Sequence, residues 1–173
     1  MKFMYMTIAV TTMLSMLPSE CVNADYKGSA IPQELQSSHA ELTLKPIDQT
    51  FAYSIYEKQY KDEMAKVGYL INLVRYSENH FWRNGSIFDG QRAAEWLDFK
   101  VNKYYQEIKG AEDFIEKVGS YSLRSQKDYY VIYPDNSRCP MKTAYYNELK
   151  RLSAYENRIA EKTNKRSARN ESV

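Results

Sequence analysis

The sequence predicts an α+β domain, mainly helical, with a short β-hairpin and one or two further strands. Apolar residues recur at steps of three and four in separate stretches, which is typical of amphipathic helices. The dipeptide Asn84-Gly85 lies between two short aromatic segments, 81–83 and 86–88, which predicts a tight hairpin. Residues 129–133 are aromatic and β-branched, so we expect a further strand there.

The first helix is predicted to begin at a capping box and to end near Asn79. Ser54 and Glu57 have the spacing at which the serine accepts from a first-turn amide and the glutamate reaches back. The apolar stripe that follows consists of Tyr60, Met64, Val67, Ile71 and Val74.

A second helix is predicted after the hairpin, with Asp89 as its N-cap. Its apolar stripe is Ala94, Leu97, Val101, Tyr104 and Ile108, and Gly110 interrupts it. A short helix then opens at Ala111 and ends at Gly119.

The last helix follows a turn at residues 134–137 and is predicted to have Pro140 at its first position. Its apolar stripe is Tyr145, Leu149, Leu152 and Ile159. We therefore place the domain at residues 51–160. Residues 161–173 are polar and basic, and we expect a disordered tail that is either solvated or in contact with anionic lipid or wall polymer.

The amino terminus has the layout of a secretory signal peptide. Lys2 is followed by an uncharged apolar run, and residues 22–24 offer small residues for cleavage after Ala24. Lipidation of Cys21 is the rival interpretation, but Glu20 stands where a lipobox has a small residue. We predict a signal peptide at 1–24 and an extended leader or linker at 25–50. The protein is then exported to a bacterial periplasm or secreted, with no membrane span after cleavage.

Composition excludes several function classes. The formal net charge is +2, which gives no argument for nucleic-acid binding. Cys139 is the one cysteine left after cleavage, so we expect no intramolecular disulfide. No cluster has metal-ligand spacing and no glycine-rich phosphate loop is present, so we expect neither a metal nor a cofactor. The 16 tyrosines suit a modest core with a polar, aromatic surface.

Two motifs carry a resemblance to a known family. They are the Phe-x-Arg-Asn-Gly segment at 81–85 and the Ala-Glu-Asp-Phe-Ile block at 111–115, in this order and at this separation. Together they resemble the YfeK-like family of small periplasmic proteins of unknown function, over residues from about 67 to 152. The resemblance implies a small exported α+β domain and no particular activity. Members often carry Cys at the position of Asn79 and His at the position of Trp96, so any chemistry of those two residues is absent here.

The hairpin holds the candidate binding residues, which are Arg83, Asn84, Trp82, His80 and, on the second helix, Trp96. A guanidinium beside a tight turn can bind a carboxylate or phosphate through two hydrogen bonds. The competing interpretation makes Arg83 a structural strut against Glu112 or Asp113. Trp96 and Phe99 fall off the apolar stripe, so they either pack on the hairpin and the last helix or form an exposed aromatic patch.

These residues favour a non-catalytic binding or interaction module that holds an anionic or glycan ligand, or an envelope protein. The alternative is a small hydrolase-like enzyme in which His80 acts with Asp89, Glu95 or Cys139. A third possibility is a secreted protein that acts on a host or a competitor. No motif in the sequence identifies the catalytic residues of the enzyme alternative.

Overall fold

The computed structural model of the protein describes residues 40–170. The predicted signal peptide and most of the predicted leader lie outside these residues. Within them the chain folds into five α-helices and one four-stranded antiparallel sheet, which confirms the predicted α+β class.

The elements alternate along the chain rather than separating into a helical half and a sheet half. The helices are α1 (Phe51–Tyr56), α2 (Glu63–Arg75), α3 (Gly90–Lys103), α4 (Ala111–Phe114) and α5 (Met141–Asn170). The strands are β1 (His80–Arg83), β2 (Ser86–Phe88), β3 (Tyr130–Ile132) and β4 (Arg138–Pro140). In space the strands stand in the order β2-β1-β3-β4.

The predicted hairpin is confirmed. β1 pairs with β2 around a two-residue turn, with Arg83 opposite Ser86 and Phe81 opposite Phe88. Both turn residues have positive φ, 51° at Asn84 and 91° at Gly85. This is the backbone that type I′ turns require, and the pair Asn-Gly adopts it most readily.

The predicted first helix is wrong in its start and its continuity. Thr50 caps α1, its hydroxyl accepting from the Tyr53 amide, and Asp62 caps α2, its carboxylate accepting from the Ala65 amide at 2.7 Å. Two good caps thus divide the segment into two helices, and the proposed capping box at Ser54 does not form. Tyr60, assigned to the apolar stripe, lies between the helices and is 87% exposed.

The second helix begins as predicted but ends early. Asp89 caps α3 by accepting from the Arg92 amide at 2.8 Å. The helix stops at Lys103, because Tyr104 leaves the helical region and a 3₁₀ turn, Tyr105–Glu107, follows. Ile108 is nevertheless buried, so its apolar character reflects the core and not a helical position.

The carboxyl-terminal part differs from the prediction at both ends of its helix. Pro140 ends β4, a strand that the sequence did not indicate, and α5 starts one residue later. α5 then continues to Asn170, so the stretch predicted as a disordered tail is helical up to that residue. No Gly or Pro follows Pro140 and the segment is rich in Ala, Glu, Lys and Arg, which are strong helix formers.

The core extends into the segment that we assigned to a leader. Leu42 and Ile47 are buried in the core, so this segment packs with the domain that we predicted to begin at residue 51. The cause is local, because Pro46 and short turns hide the burial pattern in this stretch. Tyrosines also contribute more to the core than expected, since Tyr56, Tyr69 and Tyr145 are fully buried.

Candidate functional site

A narrow cleft lies between the hairpin and α3, and it contains three of the five predicted site residues. Its free volume is about 30 Å³. A single buried water needs about 10–15 Å³ on a comparable measure, so the cleft admits a group as small as a carboxylate. The lining residues are Phe81, Trp82, Arg83, Phe88, Arg92, Ala93, Trp96, Leu97, Gly119, Tyr129 and Met141.

The Arg83 guanidinium is held between two aromatic rings at this cleft. Its central carbon lies 4.2 Å from the centre of the Trp96 ring and 4.8 Å from the centre of the Phe88 ring. The Trp96 ring is in turn stacked on Phe99, with 5.2 Å between ring centres. Rings that cover the flat faces of a guanidinium fix its plane and leave the N–H groups at its edge available.

The predicted strut between Arg83 and the start of α4 does not form. Asp113 instead accepts from the Lys117 ammonium at 2.8 Å and from the Lys109 amide at 3.0 Å. Within residues 40–170 no hydrogen bond or ion pair joins the Arg83 side chain to another residue. Arg83 is thus a half-buried cation without a carboxylate partner in the described part of the chain, which makes it a candidate for binding an anion.

A second cation, Lys100, lies near Arg83 but does not line the cleft. The Lys100 side chain is buried, and its ammonium donates to the carbonyls of Val118 and Tyr121, the latter at 2.8 Å. Burial, and to a smaller extent the charge of Arg83, lowers the pKa of Lys100 to about 8. Because Arg92 adds a third cation and none of the lining residues is acidic, the cleft favours anions.

Tyr129 connects the cleft to the loop that follows α4. Its ring lies 5.0 Å from the Lys100 ammonium. Burial raises the pKa of the Tyr129 hydroxyl, while hydrogen bonds with Trp96 and Ser122 and the charge of Arg83 lower it. Tyr129 therefore places an aromatic ring between the cleft and the buried Lys100 ammonium.

Asn84 and His80 are placed outside the cleft. The Asn84 amide donates to the Ser122 hydroxyl at 3.3 Å and accepts from the Ser125 hydroxyl at 2.7 Å, which ties the hairpin to the neighbouring loop. His80 lies at the start of β1 and is exposed. Trp82 lines the cleft, and its ring meets Tyr130 edge-on at 5.8 Å.

The geometry separates the residues of the enzyme alternative. His80 is opposite Ile132, and Phe81 is opposite Val131, which in turn is opposite Cys139. Because side chains alternate between the two faces of a sheet, the His80 side chain projects from one face and the Cys139 side chain from the other. In the described part of the chain no hydrogen bond links His80 to Asp89, Glu95 or Cys139, and Asp89 is occupied as a helix cap.

Sequence reasoning missed Phe88, Tyr129 and Lys100 as parts of this site. The hairpin register contained the signal for Phe88, because a two-residue turn places it opposite Phe81 and next to Arg83. Tyr129 and Lys100 come to the cleft through pairing between distant segments. Nothing in their local sequence distinguishes them from ordinary strand and helix residues.

A larger groove of about 500 Å³ lies between residues 41–52, the end of α2 and the turn after β3. Its charges include Glu41, Lys45, Glu78 and Asp135, so it carries both signs. The Lys45 ammonium meets Glu78 at 3.3 Å on its rim. Three of these four charged side chains are acidic, so the groove, unlike the Arg83 cleft, does not favour an anion.

Between residues 40 and 170 no grouping of three or more His, Cys, Asp or Glu side chains is arranged to hold a metal ion. No helix in the same range combines the length and the apolar character needed to cross a bilayer.

Comparison with known proteins gives one family match. The model of DUF5329, a family of unknown function, matches residues 61–153, which include the hairpin, α3, the sheet and all the residues that line the cleft. No curated protein and no solved structure matches the chain. The match agrees with the expectation of a family without a known activity, and it does not bear on the YfeK-like name.

Proposed function

This chain belongs to DUF5329, a family of unknown function, and we propose that it is a non-catalytic binding module whose Arg83 cleft holds a carboxylate. The observation that carries this proposal is the Arg83 guanidinium, stacked between Phe88 and Trp96 and not paired with any carboxylate of residues 40–170. Arg92 also lines the cleft, and the buried Lys100 lies close enough to Arg83 for their charges to interact.

The shape of the cleft favours a carboxylate over a bulkier anion. A carboxylate is planar and accepts two parallel hydrogen bonds from the edge of a guanidinium. The surrounding walls are mainly apolar and aromatic, so we expect a ligand in which an apolar body follows the charged group. A glycan acid or an acidic protein segment fits this description.

The proposal is tested by titrating the protein with benzoate and with inorganic phosphate. We expect saturable binding of benzoate at the cleft, observed as shifts of the Trp96 indole resonance, and weaker binding of phosphate. Arg83→Met preserves an unbranched aliphatic stem and removes the charged guanidinium, so the affinity for benzoate should fall by about tenfold or more.

Arg124→Met is the matched control, because Arg124 is exposed in the loop after α4 and its loss also removes one positive charge. Benzoate affinity should stay within about twofold in this variant, as expected for a screened distant charge. Equal affinities of Arg83→Met and the unaltered protein would contradict the proposal. Neither variant should lose more than about 1 kcal/mol of stability, since no ion pair is broken.

The proposal includes export, on the basis of the charge and apolar pattern of residues 1–24. Amino-terminal sequencing of protein recovered from the periplasm should begin at Asp25. A mature form that begins at an acylated Cys21 would contradict cleavage after Ala24 and would indicate a lipid anchor instead.

A further inference from the structure

β2 forms one edge of the sheet, and its short length of three residues is the one usual protection of an edge strand that it carries. β1 pairs with it on one side, and among residues 40–170 no strand pairs on the other. Edge strands normally carry charges, Pro or a bulge that prevent pairing with another chain. Ser86-Ile87-Phe88 contains none of these, and Ile87 is 58% exposed. The opposite edge, β4, contains Arg138 and Pro140 and leads directly into α5.

The hairpin register shows which backbone groups of β2 face outward. In a two-residue hairpin the residues next to the turn, here Arg83 and Ser86, exchange both of their hydrogen bonds. The next pair, Trp82 and Ile87, is then the non-hydrogen-bonded type, whose N–H and C=O groups turn away from each other. The Ile87 N–H and C=O therefore point to the open edge. There the N–H can donate one hydrogen bond to a neighbouring strand, and the C=O can accept one from it.

This edge runs beside the Arg83 cleft. Phe88 of β2 lies on the same sheet face as Arg83, and the guanidinium is displaced toward β2 because it covers the Phe88 ring at 4.8 Å. A strand added to β2 would lie about 4.8 Å farther out. The side chains that flank the residue paired with Ile87 would project to the cleft face, within reach of Arg83.

We infer that β2 accepts an extended peptide as a fifth strand of the sheet, and that an acidic side chain of this peptide binds Arg83. The inference rests on the proposed function and names its ligand class as an acidic peptide segment. Charge complementarity selects the acidic residue, since the cleft contains Arg83 and Arg92 and no acidic lining residue. Main-chain pairing provides affinity and the pocket provides specificity, as in other cases of strand addition.

The experiment uses the isotopically labelled full-length protein and a short blocked peptide of alternating Thr and Val with one central Glu. Binding should shift the amide resonances of Ile87 and its neighbours in β2. A matched peptide with Gln in place of Glu should bind about tenfold more weakly, because it cannot make the charged hydrogen bonds to Arg83. Equal binding of the two peptides would contradict the role of Arg83 in peptide recognition.

Two variants isolate the strand pairing. Ile87→Pro removes the outward N–H without breaking a hydrogen bond between β1 and β2. The affinity for the peptide should fall by about tenfold, while the affinity for benzoate should be retained. Ile87→Thr retains the N–H and should bind the peptide nearly as the unaltered protein does. N-methylation of the peptide residue opposite Ile87 removes a hydrogen bond from the other partner, which tests the pairing independently of how the Pro variant folds.

The outcomes separate this inference from the proposed function. If the Pro variant and the methylated peptide bind as well as their controls, strand addition is wrong, and retained benzoate binding leaves the carboxylate site intact. If benzoate binds equally well to Arg83→Met, the carboxylate site itself is wrong, whatever the peptide does.

Discussion

At the scale of single residues, a buried glutamate connects the segment before the first helix to the last helix. Glu148 on α5 is fully buried, and its carboxylate accepts from the amides of Leu42 at 2.8 Å and Thr43 at 3.3 Å. Arg151 donates to the same carboxylate at 3.0 Å and also to the carbonyls of Thr43 and Lys45. Burial raises the pKa of Glu148 to about 6, while Arg151 lowers it. The pair fixes residues 41–45 to the last helix.

Glu148→Ala should lower the free energy of unfolding by about 3–5 kcal/mol, because it leaves two amides and a guanidinium without their acceptor. Urea denaturation monitored by circular dichroism measures this loss. Glu116→Ala is the control: its carboxylate pairs with Lys142 at 2.7 Å, but both side chains are about half exposed. That pair should contribute less than about 1 kcal/mol. Similar losses in the two variants would show that burial does not decide the role of Glu148.

The cleft residues show what sequence can and cannot indicate at this scale. The sequence indicates Arg83, Trp82 and Trp96 as candidates, because charge and aromatic rings near a tight turn are typical of binding residues; all three line the cleft, and their role in binding stays a prediction. Lys100 was not a candidate, because its carbonyl partners Val118 and Tyr121 depend on how the chain folds after α4. Partners that are distant in sequence are set by tertiary packing, and one sequence contains no direct record of them.

At the scale of elements, the hairpin depends on a glycine at a position that other residues adopt poorly. Gly85 has a φ of 91°, and no neighbouring atom would contact an added Cβ, so any cost of substitution comes from the backbone alone. Gly85→Ala should therefore destabilise the protein by about 1 kcal/mol or more.

Gly68 provides the matched control for this prediction. It lies inside α2, and an added Cβ would also meet nothing within 4 Å. Gly68→Ala should stabilise the protein by about 0.5–1 kcal/mol, because alanine is the better helix former and has less freedom in the unfolded chain. Thermal unfolding of both variants gives the comparison, and opposite signs are the expected result. Equal shifts of the melting temperature would contradict the assignment of backbone strain to Gly85.

Local signals predicted some elements and not others, for identifiable reasons. Asn84-Gly85 and Asp89 determine the hairpin and the start of α3 through turn and cap chemistry within a few residues. The break between α1 and α2 was missed because the apolar steps continue through Tyr60, which is exposed between two capped helices. β4 has only three residues, and it is a strand because β3 pairs with it rather than because of its own composition.

At the scale of the whole molecule, the domain is closed by residues that precede its first helix. Leu42 packs into the core, and the Glu148–Arg151 pair holds the backbone on both sides of it. The family match begins at residue 61, so this closing segment lies outside the matched region. The described fold is therefore larger than the part that the family model covers.

Leu42→Ala should lower the free energy of unfolding by about 2–5 kcal/mol, the range for truncating a buried leucine. Leu42 is 1% exposed, whereas Leu44, two residues later, is 68% exposed. Leu44→Ala should change stability by less than about 0.5 kcal/mol, as is usual for an exposed position. Because the two variants alter the same residue type within the same segment, differences in the unfolded state largely cancel. If both variants lose equally little free energy of unfolding in urea denaturation, residues 40–50 act as a linker and the domain begins at α1.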